Sequence, residues 1–314
     1  MIRNRATTLG GARSLFCRIG VREAITKKSK AKPVLDQALT GFGSELASLK
    51  YDAFAAWSLY QHQYRAAESA TRKGKHRETM VAIVARDLGD PKFGKLALSA
   101  DRAGKGAWLR RNRESFNRLI LGLFTLSFEA FERFTKDLYA CLGYLDRRCW
   151  RAQDFGSLCL ADIPGKNLPW FKSTVRNNKS LRSAHDVRKQ LGRVFPELSS
   201  PSCSEWNSWL TVIEMLRHWC VHQQGSVHIS EYRQVLCKRT GLDAKHELLQ
   251  RSERLLLGRR GQCQVWLVSK GRIAKSSFDA TRAFTELQEH LGNMAAYYYR
   301  LSMGRFGHKP KWVG

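Results

Sequence analysis

The feature that most constrains the fold of this chain is a long amphipathic stretch near its centre, between Glu114 and Leu145. At roughly 100° per residue, apolar side chains that recur at steps of three and four lie on one stripe of a helix. The stretch therefore predicts one long helix in a mainly α fold. The main stripe is formed by Phe116, Ile120, Leu123, Phe131, Phe134, Leu138, Cys141 and Leu142.

A second helix is predicted between Ser202 and Gly225. Ser202, followed three residues later by Glu205, is a capping-box pattern, and a glycine is a typical helix stop. Tryptophan, leucine and isoleucine recur between them at helical steps. Arg217 falls within this apolar stripe, whereas His218 and His222, four positions apart, share another face.

Arg217 needs a partner if it faces the core, because an unpaired and desolvated charge is costly. One interpretation of the cluster is a buried Arg–Glu ion pair beside two ordinary polar histidines. A second takes His218 and His222 as a metal pair at helical spacing. The second lacks both the intervening glutamate of the HExxH motif and an evident third ligand.

Two segments resemble HEPN domains. Arg217-His218-Trp219-Cys220-Val221-His222 resembles the family's motif of an arginine, four residues and a histidine. Ser127-Phe-Glu129-Ala-Phe-Glu132 resembles the first helix of some bacterial HEPN families. A predicted β-hairpin over 255–268 and a closing helix over 278–301 extend the resemblance to roughly residues 111–301.

The resemblance implies a helical bundle with a small β-hairpin, in which two protomers form a composite cleft that cleaves RNA without a metal ion or other cofactor. It implies that Arg217 holds the scissile phosphate and that His222 transfers protons. His218 would add a polar contact to the phosphate or ribose. Glu129 is an auxiliary candidate that would orient the arginine through a charge-assisted bond, and Glu132 is expected to be solvated.

The composition points to a polyanionic partner. Lys and Arg number 54 against 27 Asp and Glu, a formal net charge of +27. RNA is favoured over an anionic membrane, because no basic amphipathic helix with a bulky apolar face is evident. The eight cysteines include no CxxC pair, which argues against a zinc ribbon or a disulfide scaffold. With no secretory signal or apolar span visible, we expect a cytoplasmic protein.

Basic residues interleaved with aromatic ones predict a surface that grips RNA phosphates and stacks a base, although a merely solvated basic loop fits the same pattern. The candidate RNA-binding residues are Arg111, Arg113, Lys166, Trp170, Lys172, Arg176, Lys179 and Arg182.

Four regions are predicted along the chain: a basic, flexible arm over 1–40, an accessory helical region over 41–110, the HEPN-like domain over 111–301 and a basic tail over 302–314. Leu121, Phe128 and Tyr139, on the far side of the long helix, are expected to suit a contact between two protomers.

The leading hypothesis is a metal-independent, homodimeric endoribonuclease. The resemblance suggests a role in bacterial defence or a toxin–antitoxin pair, with an antitoxin or regulatory protein as a further partner. The alternative is an RNA-binding or interaction module with the same fold and no catalysis.

Overall fold

The computed structural model describes residues 10–72, 105–150, 163, 165–200, 203–259, 261–269 and 276–308. It confirms a mainly α fold with a small antiparallel sheet. The helices are α1 (Gly10–Arg72), α2 (Lys105–Leu145), α3 (Leu168–Asn177), α4 (Ala184–Val194), α5 (Ser204–His222), α6 (Ile229–Thr240), α7 (Glu247–Glu253), α8 (Ser277–Ala280) and α9 (Arg282–Arg305). The strands are β1 (Ser226–His228), β2 (Leu256–Arg259) and β3 (Gln262–Val265), and short 3-10 turns cover Arg147–Cys149 and Pro196–Ser199.

Helix α2 is the predicted long helix, and it lies at the centre of the fold. It packs against α1, α3, α4, α5 and α9. Because neighbours surround it, α2 buries more than the one stripe that its periodicity indicates. Leu121, Phe128 and Tyr139, expected to form a protomer contact, are instead core residues with at most 6% of their surface exposed. That expectation is wrong.

Helix α1 runs across the predicted boundary between a flexible arm and an accessory region at residue 40. Ala31 and Leu35 are fully buried, and Phe42 stacks on Phe134 of α2 with ring centroids 5.1 Å apart. The lysine-rich composition hid this apolar face, whose members recur at helical spacing. The packed part of α1 therefore extends back to residue 31 at least. Residues 1–9 and 73–104 lie outside the described part of the chain.

The predicted hairpin is confirmed as β2 and β3, which pair antiparallel. It gains a third strand, β1, on the other edge of β3, so that the strand order is β1-β3-β2. Asn117 of α2, only 1% exposed, fastens the sheet to the long helix. Its Nδ2 donates to Val265 O at 3.0 Å, and its Oδ1 accepts from Leu267 N at 2.9 Å.

The end of α9 differs slightly from the prediction. The helix continues to Arg305, beyond the predicted domain end at residue 301, and Ser302 and Met303 are buried. Residues 309–314, the rest of the predicted basic tail, lie outside the described part.

Candidate functional site: the end of helix α5

Helix α5 carries the Arg217–His222 motif at its C-terminal end. Its inner face is buried through Trp209, Ile213 and Leu216, as the apolar stripe predicted, and Trp219 is buried as well. The predicted capping box is not the observed start. Cys203 is the N-cap and forms no side-chain capping bond, while Ser202 lies outside the described residues.

Gly225 ends the motif helix, as predicted. Its φ of +78° lies in the left-handed region, where a side chain is strained. The N–H groups of Gln223 and Gly225 both donate to Trp219 O, at 3.0 and 2.8 Å. Gly225 O in turn accepts from Val265 N at 2.7 Å. The sheet therefore fixes the position at which the motif helix stops.

Arg217 is paired with Glu129 of α2. Its Nη2 lies 3.5 Å from Glu129 Oε1, and the two side chains are 28% and 36% exposed. Within the described part of the chain, Arg217 Nε is buried and has no hydrogen-bond partner. Because 28% of its side chain stays exposed beside Glu129, the guanidinium of Arg217 retains capacity to bind an anion. The expected carboxylate beside Arg217 is thus Glu129.

Two further contacts show that α2 and α5 run antiparallel beside the motif. A Cβ added at Gly225 would lie 3.3 Å from Leu121 Cδ1, at one end of the helix pair. At the other end, Glu132 lies close enough to Glu214 for its negative charge to raise the pKa of Glu214, although burial is the larger cause. Glu129 and Arg217 lie between these ends.

Glu132 does not have the solvated position that was expected. It is partly buried, and its Oε1 accepts from Ala184 N at 3.2 Å, at the start of α4. Burial is the largest influence on its pKa, which is raised although Lys136 and Arg217 oppose the change. The expectation failed because the first N–H groups of a helix need acceptors, and α4 places them beside Glu132.

Glu214 and Arg239 lie in the same polar cluster as Arg217, and neither was predicted from the sequence. Burial raises the pKa of Glu214, against the positive charges of Arg239 and Arg217. Glu214 precedes Arg217 by three residues, so helical spacing was a signal that could have found it. Arg239 lies in the last turn of α6, and no local pattern connects it with the motif.

His218 and His222 are exposed at the helix end, with ring centroids 4.7 Å apart. The pKa of His218 lies below its ordinary 6.5, first because of desolvation and then because His222, Arg239 and Arg217 add positive charge nearby. His218 is therefore neutral at neutral pH and able to accept a proton.

Arg217 and His222 do not share a face of α5. The helix stays regular through His222, so fraying does not bring the two side chains together. Arg217 points to Glu129, whereas His222 contacts His218. His218 is near both, because the charges of Arg217 and His222 each lower its pKa.

The predicted RNA-binding surface is partly neutralised by Asp137 of α2. Lys172 Nζ and Arg176 Nη2 lie 3.2 and 2.9 Å from its carboxylate oxygens. Lys166 lies 5.8 Å from the ring centre of Trp170, which is half-buried against Phe171. Local sequence patterns do not reveal this acid, because it lies on a different helix, 39 residues before Arg176.

The remaining candidates are spread over several elements. Lys179 and Arg182 are exposed beside the start of α4, and Arg182 O accepts from Lys136 Nζ at 3.1 Å. Arg111 is exposed and Arg113 is partly buried in the first third of α2. The structure thus gathers Lys166–Arg182 along one part of α2 but leaves Arg111 and Arg113 at another.

Exposed apolar residues flank the Arg217–Glu129 pair. Leu126, one turn before Glu129 on α2, is 45% exposed, and Val221, one turn after Arg217 on α5, is 46% exposed. Leu119, two turns before Leu126, is 56% exposed. Because α2 and α5 are antiparallel here, Leu126 and Val221 lie on the same side of the pair.

The described residues contain no group of three or more His, Cys, Asp and Glu side chains with a metal-binding arrangement. Among the helices of the same residues, none combines the length and the apolar character needed to cross a membrane.

Comparisons of the chain with protein-family models, with curated proteins and with solved structures gave no significant match. Membership of the HEPN family therefore stays a prediction that depends on the motif residues alone.

Proposed function

We propose that this protein is a metal-independent endoribonuclease with a composite active site formed by two copies of the chain. The observation that carries the proposal is that a partly exposed Arg217, paired with the Glu129 carboxylate, shares one helix end with the neutral His218 and the adjacent His222. The net charge of +27 favours a polyanionic substrate.

The groups present match what RNA cleavage by its own 2′-hydroxyl requires. One histidine removes the 2′-hydroxyl proton while the 2′-oxygen forms its bond to phosphorus. A second histidine, protonated, donates to the 5′-oxygen as the P–O5′ bond breaks. The guanidinium of Arg217 donates to the phosphate oxygens that gain negative charge. The products are a 2′,3′-cyclic phosphate and a free 5′-hydroxyl.

A second copy of the chain is part of the proposal, because Arg217 and His222 point away from each other within one protomer. In a symmetric pair, the same surface patch meets itself. The exposed apolar area next to Arg217 comes from Leu119, Leu126 and Val221, and a partner's His222 would approach Arg217 there. These exposed side chains replace the buried residues first expected at the contact.

The direct test is cleavage of single-stranded RNA in EDTA by wild type, Arg217→Ala and His222→Ala. We expect the wild type to yield cyclic-phosphate ends and each variant to lose at least about 100-fold in rate, the usual cost of removing a catalytic donor or proton-transfer group. Arg65→Ala and His62→Ala are matched controls on the exposed face of α1. Undiminished cleavage by both motif variants contradicts the proposal.

A second candidate is an RNA-binding module without catalysis. The observation in its favour is that Glu129 already occupies Arg217, which leaves the guanidinium only partly available to a phosphate. RNA binding that is salt-sensitive, with no cleavage in EDTA or in a divalent metal, would favour this candidate. Cleavage that EDTA abolishes and a metal restores would instead favour a metal pair at His218 and His222.

A further inference from the structure

A cleft of about 460 Å³ lies between α5, α7, α8 and α9, away from the motif. Trp209 forms part of its wall and precedes Arg217 by eight residues on α5, about 12 Å at 1.5 Å per residue. The volume is within the range of about 300–1,000 Å³ that is typical of small-molecule sites. Nothing in the proposed ribonuclease chemistry uses this cleft.

The cleft is rich in cationic and donor groups. Arg251 and Arg254 of the α7 end and Arg282 of α9 line it, together with His290. Of the two lining acids, Glu286 is paired with Arg282 at 2.9 Å and Asp279 accepts from the Ser276 hydroxyl at 2.8 Å. The cationic side chains therefore outnumber the carboxylates, and both carboxylates are engaged locally. Such a wall favours an anionic ligand.

An aromatic pair completes the wall. The rings of Trp209 and His290 are stacked, with centroids 4.4 Å apart and planes 20° from parallel. The guanidinium of Arg251 lies over the Trp209 ring at 5.7 Å, so that the cation is held at the cleft by the indole. Apolar side chains of Leu255, Val268 and Leu287 lie beside this pair.

One donor at this wall is unsatisfied. Trp209 is 5% exposed, and within the described residues its indole Nε1 is buried without a hydrogen-bond partner. A buried N–H that lacks an acceptor is unfavourable, and an acceptor oxygen on a ligand in the cleft would satisfy it.

We propose that this cleft binds a small phosphorylated molecule of mononucleotide size. Arg251, Arg254 and Arg282 bind the phosphate oxygens, since guanidinium forks match phosphate geometry. His290, which is partly exposed and is backed by the stacked Trp209 ring, contacts the planar part of the ligand. The cleft is independent of the proposed function, because none of its residues belongs to the Arg217–His222 motif or to the polar cluster around Arg217.

The experiment is isothermal titration of the full-length protein with AMP, adenosine and inorganic phosphate in turn, at 0.15 M salt. We expect AMP to bind with a stoichiometry near one, and adenosine and phosphate to bind at least tenfold more weakly. Arg251→Gln and Arg254→Gln should each weaken AMP binding at least fivefold. Arg65→Gln, which changes an exposed arginine of α1 outside the cleft, should leave it unchanged.

Arg282→Gln keeps the test informative if a change at α7 disturbs folding, because Arg282 is 70% exposed and pairs only along its own helix in the described contacts. Three results would overturn the proposal. The first is no AMP binding at about 1 mM, a concentration at which even weak binding is detected. The others are equal binding of AMP and phosphate, and AMP binding that the cleft variants leave unchanged. RNA cleavage by Arg251→Gln at the wild-type rate would show that the cleft and the proposed ribonuclease site can be tested independently.

Discussion

Arg217 of α5 and Glu129 of α2 form an ion pair across two antiparallel helices, with Nη2 3.5 Å from Oε1. Both side chains are about one third exposed, so the Coulomb energy of the pair is modest. Its importance is geometric, because one edge of the guanidinium is held against α2 while Nε remains unsatisfied among the described residues. A phosphate would compete with Glu129 or join it at this arginine.

Glu129 is expected to position Arg217 rather than to react. Glu129→Ala should lower kcat for RNA cleavage about tenfold with little change in KM, because a less constrained guanidinium reaches its transition-state geometry less often. Glu129→Gln should retain more of the activity, since its amide oxygen can still accept from Nη2. Equal losses in both variants would argue against a positioning role. Glu247→Gln, at an exposed glutamate of α7, is the control.

The exposed apolar patch of Leu119, Leu126 and Val221 is expected to mediate self-association. Leu126→Asp should convert a dimer of twice 35.9 kDa into a monomer, because a buried, unpaired charge is costly at an interface. Light scattering after size exclusion measures the mass. Leu59→Asp, at a 57% exposed position on α1, should leave the mass unchanged. A wild type that is monomeric at micromolar concentration would contradict the composite site.

Mixing inactive variants tests the composite site directly. A heterodimer of Arg217→Ala and His222→Ala retains one arginine and one histidine across the interface. If the cleft combines groups from both copies, the mixture should recover cleavage that neither variant shows alone. No recovery, with exchange of protomers demonstrated by mass, would mean that each active site uses residues of a single chain.

Acid should suppress cleavage through His218. Desolvation and the neighbouring positive charges place its pKa below 6.5, so it remains neutral down to a lower pH than a free histidine. If it serves as the base, kcat/KM should rise with pH along a limb whose apparent pKa lies below 6.5, and His218→Gln should remove that limb. An unchanged limb in this variant would assign the titration to another group.

The lowered pKa of His290 is expected to make the folded state less stable at acidic pH. His290 also has a lowered pKa, chiefly from burial, so the unfolded chain takes up its proton at a higher pH than the folded one. Its contribution to stability is present above pH 6.5 and is lost as the pH falls toward its folded-state pKa. Urea unfolding at pH 7.5 and 5.5 should therefore show a smaller acid-induced loss in His290→Gln than in wild type. An equal loss would contradict this assignment.

Asn117 is expected to be a strong stability determinant. Asn117→Ala would leave Val265 O and Leu267 N buried without their partner, at a cost of about 3 kcal/mol from two unsatisfied groups. Asn177→Ala removes an exposed amide that bonds Ser173, and it should change stability by less than about 0.5 kcal/mol. Urea denaturation of the two variants measures the difference.

The sequence predicted those features that depend on local periodicity and turn chemistry. The spacing of apolar residues located α2 and the inner face of α5, and Gly225 marked the helix end because its backbone needs a positive φ. Two short apolar runs around a glycine-containing basic turn located the β2–β3 hairpin. Each of these patterns extends over a few neighbouring residues, and their physical causes act over the same distance.

Expectations that depended on contacts between distant elements were wrong at several residues. Leu121, Phe128 and Tyr139 read as an outer face because a helical wheel does not reveal how many neighbours a helix has. Glu132 read as solvated because nothing in its own segment indicates that the start of α4 lies beside it. Asp137 likewise neutralises two predicted RNA-binding cations from a distant part of the chain.

By itself, the sequence determined that this chain is mainly helical, strongly basic and equipped with an arginine and two histidines at the end of one helix. Only the tertiary structure decided that Glu129 is the partner of Arg217 and that Glu214 and Arg239 lie near this pair. It also decided that Leu126 and Val221 are exposed beside the motif. The reason is that helical periodicity fixes which residues share a face, whereas packing between distant segments fixes what that face meets.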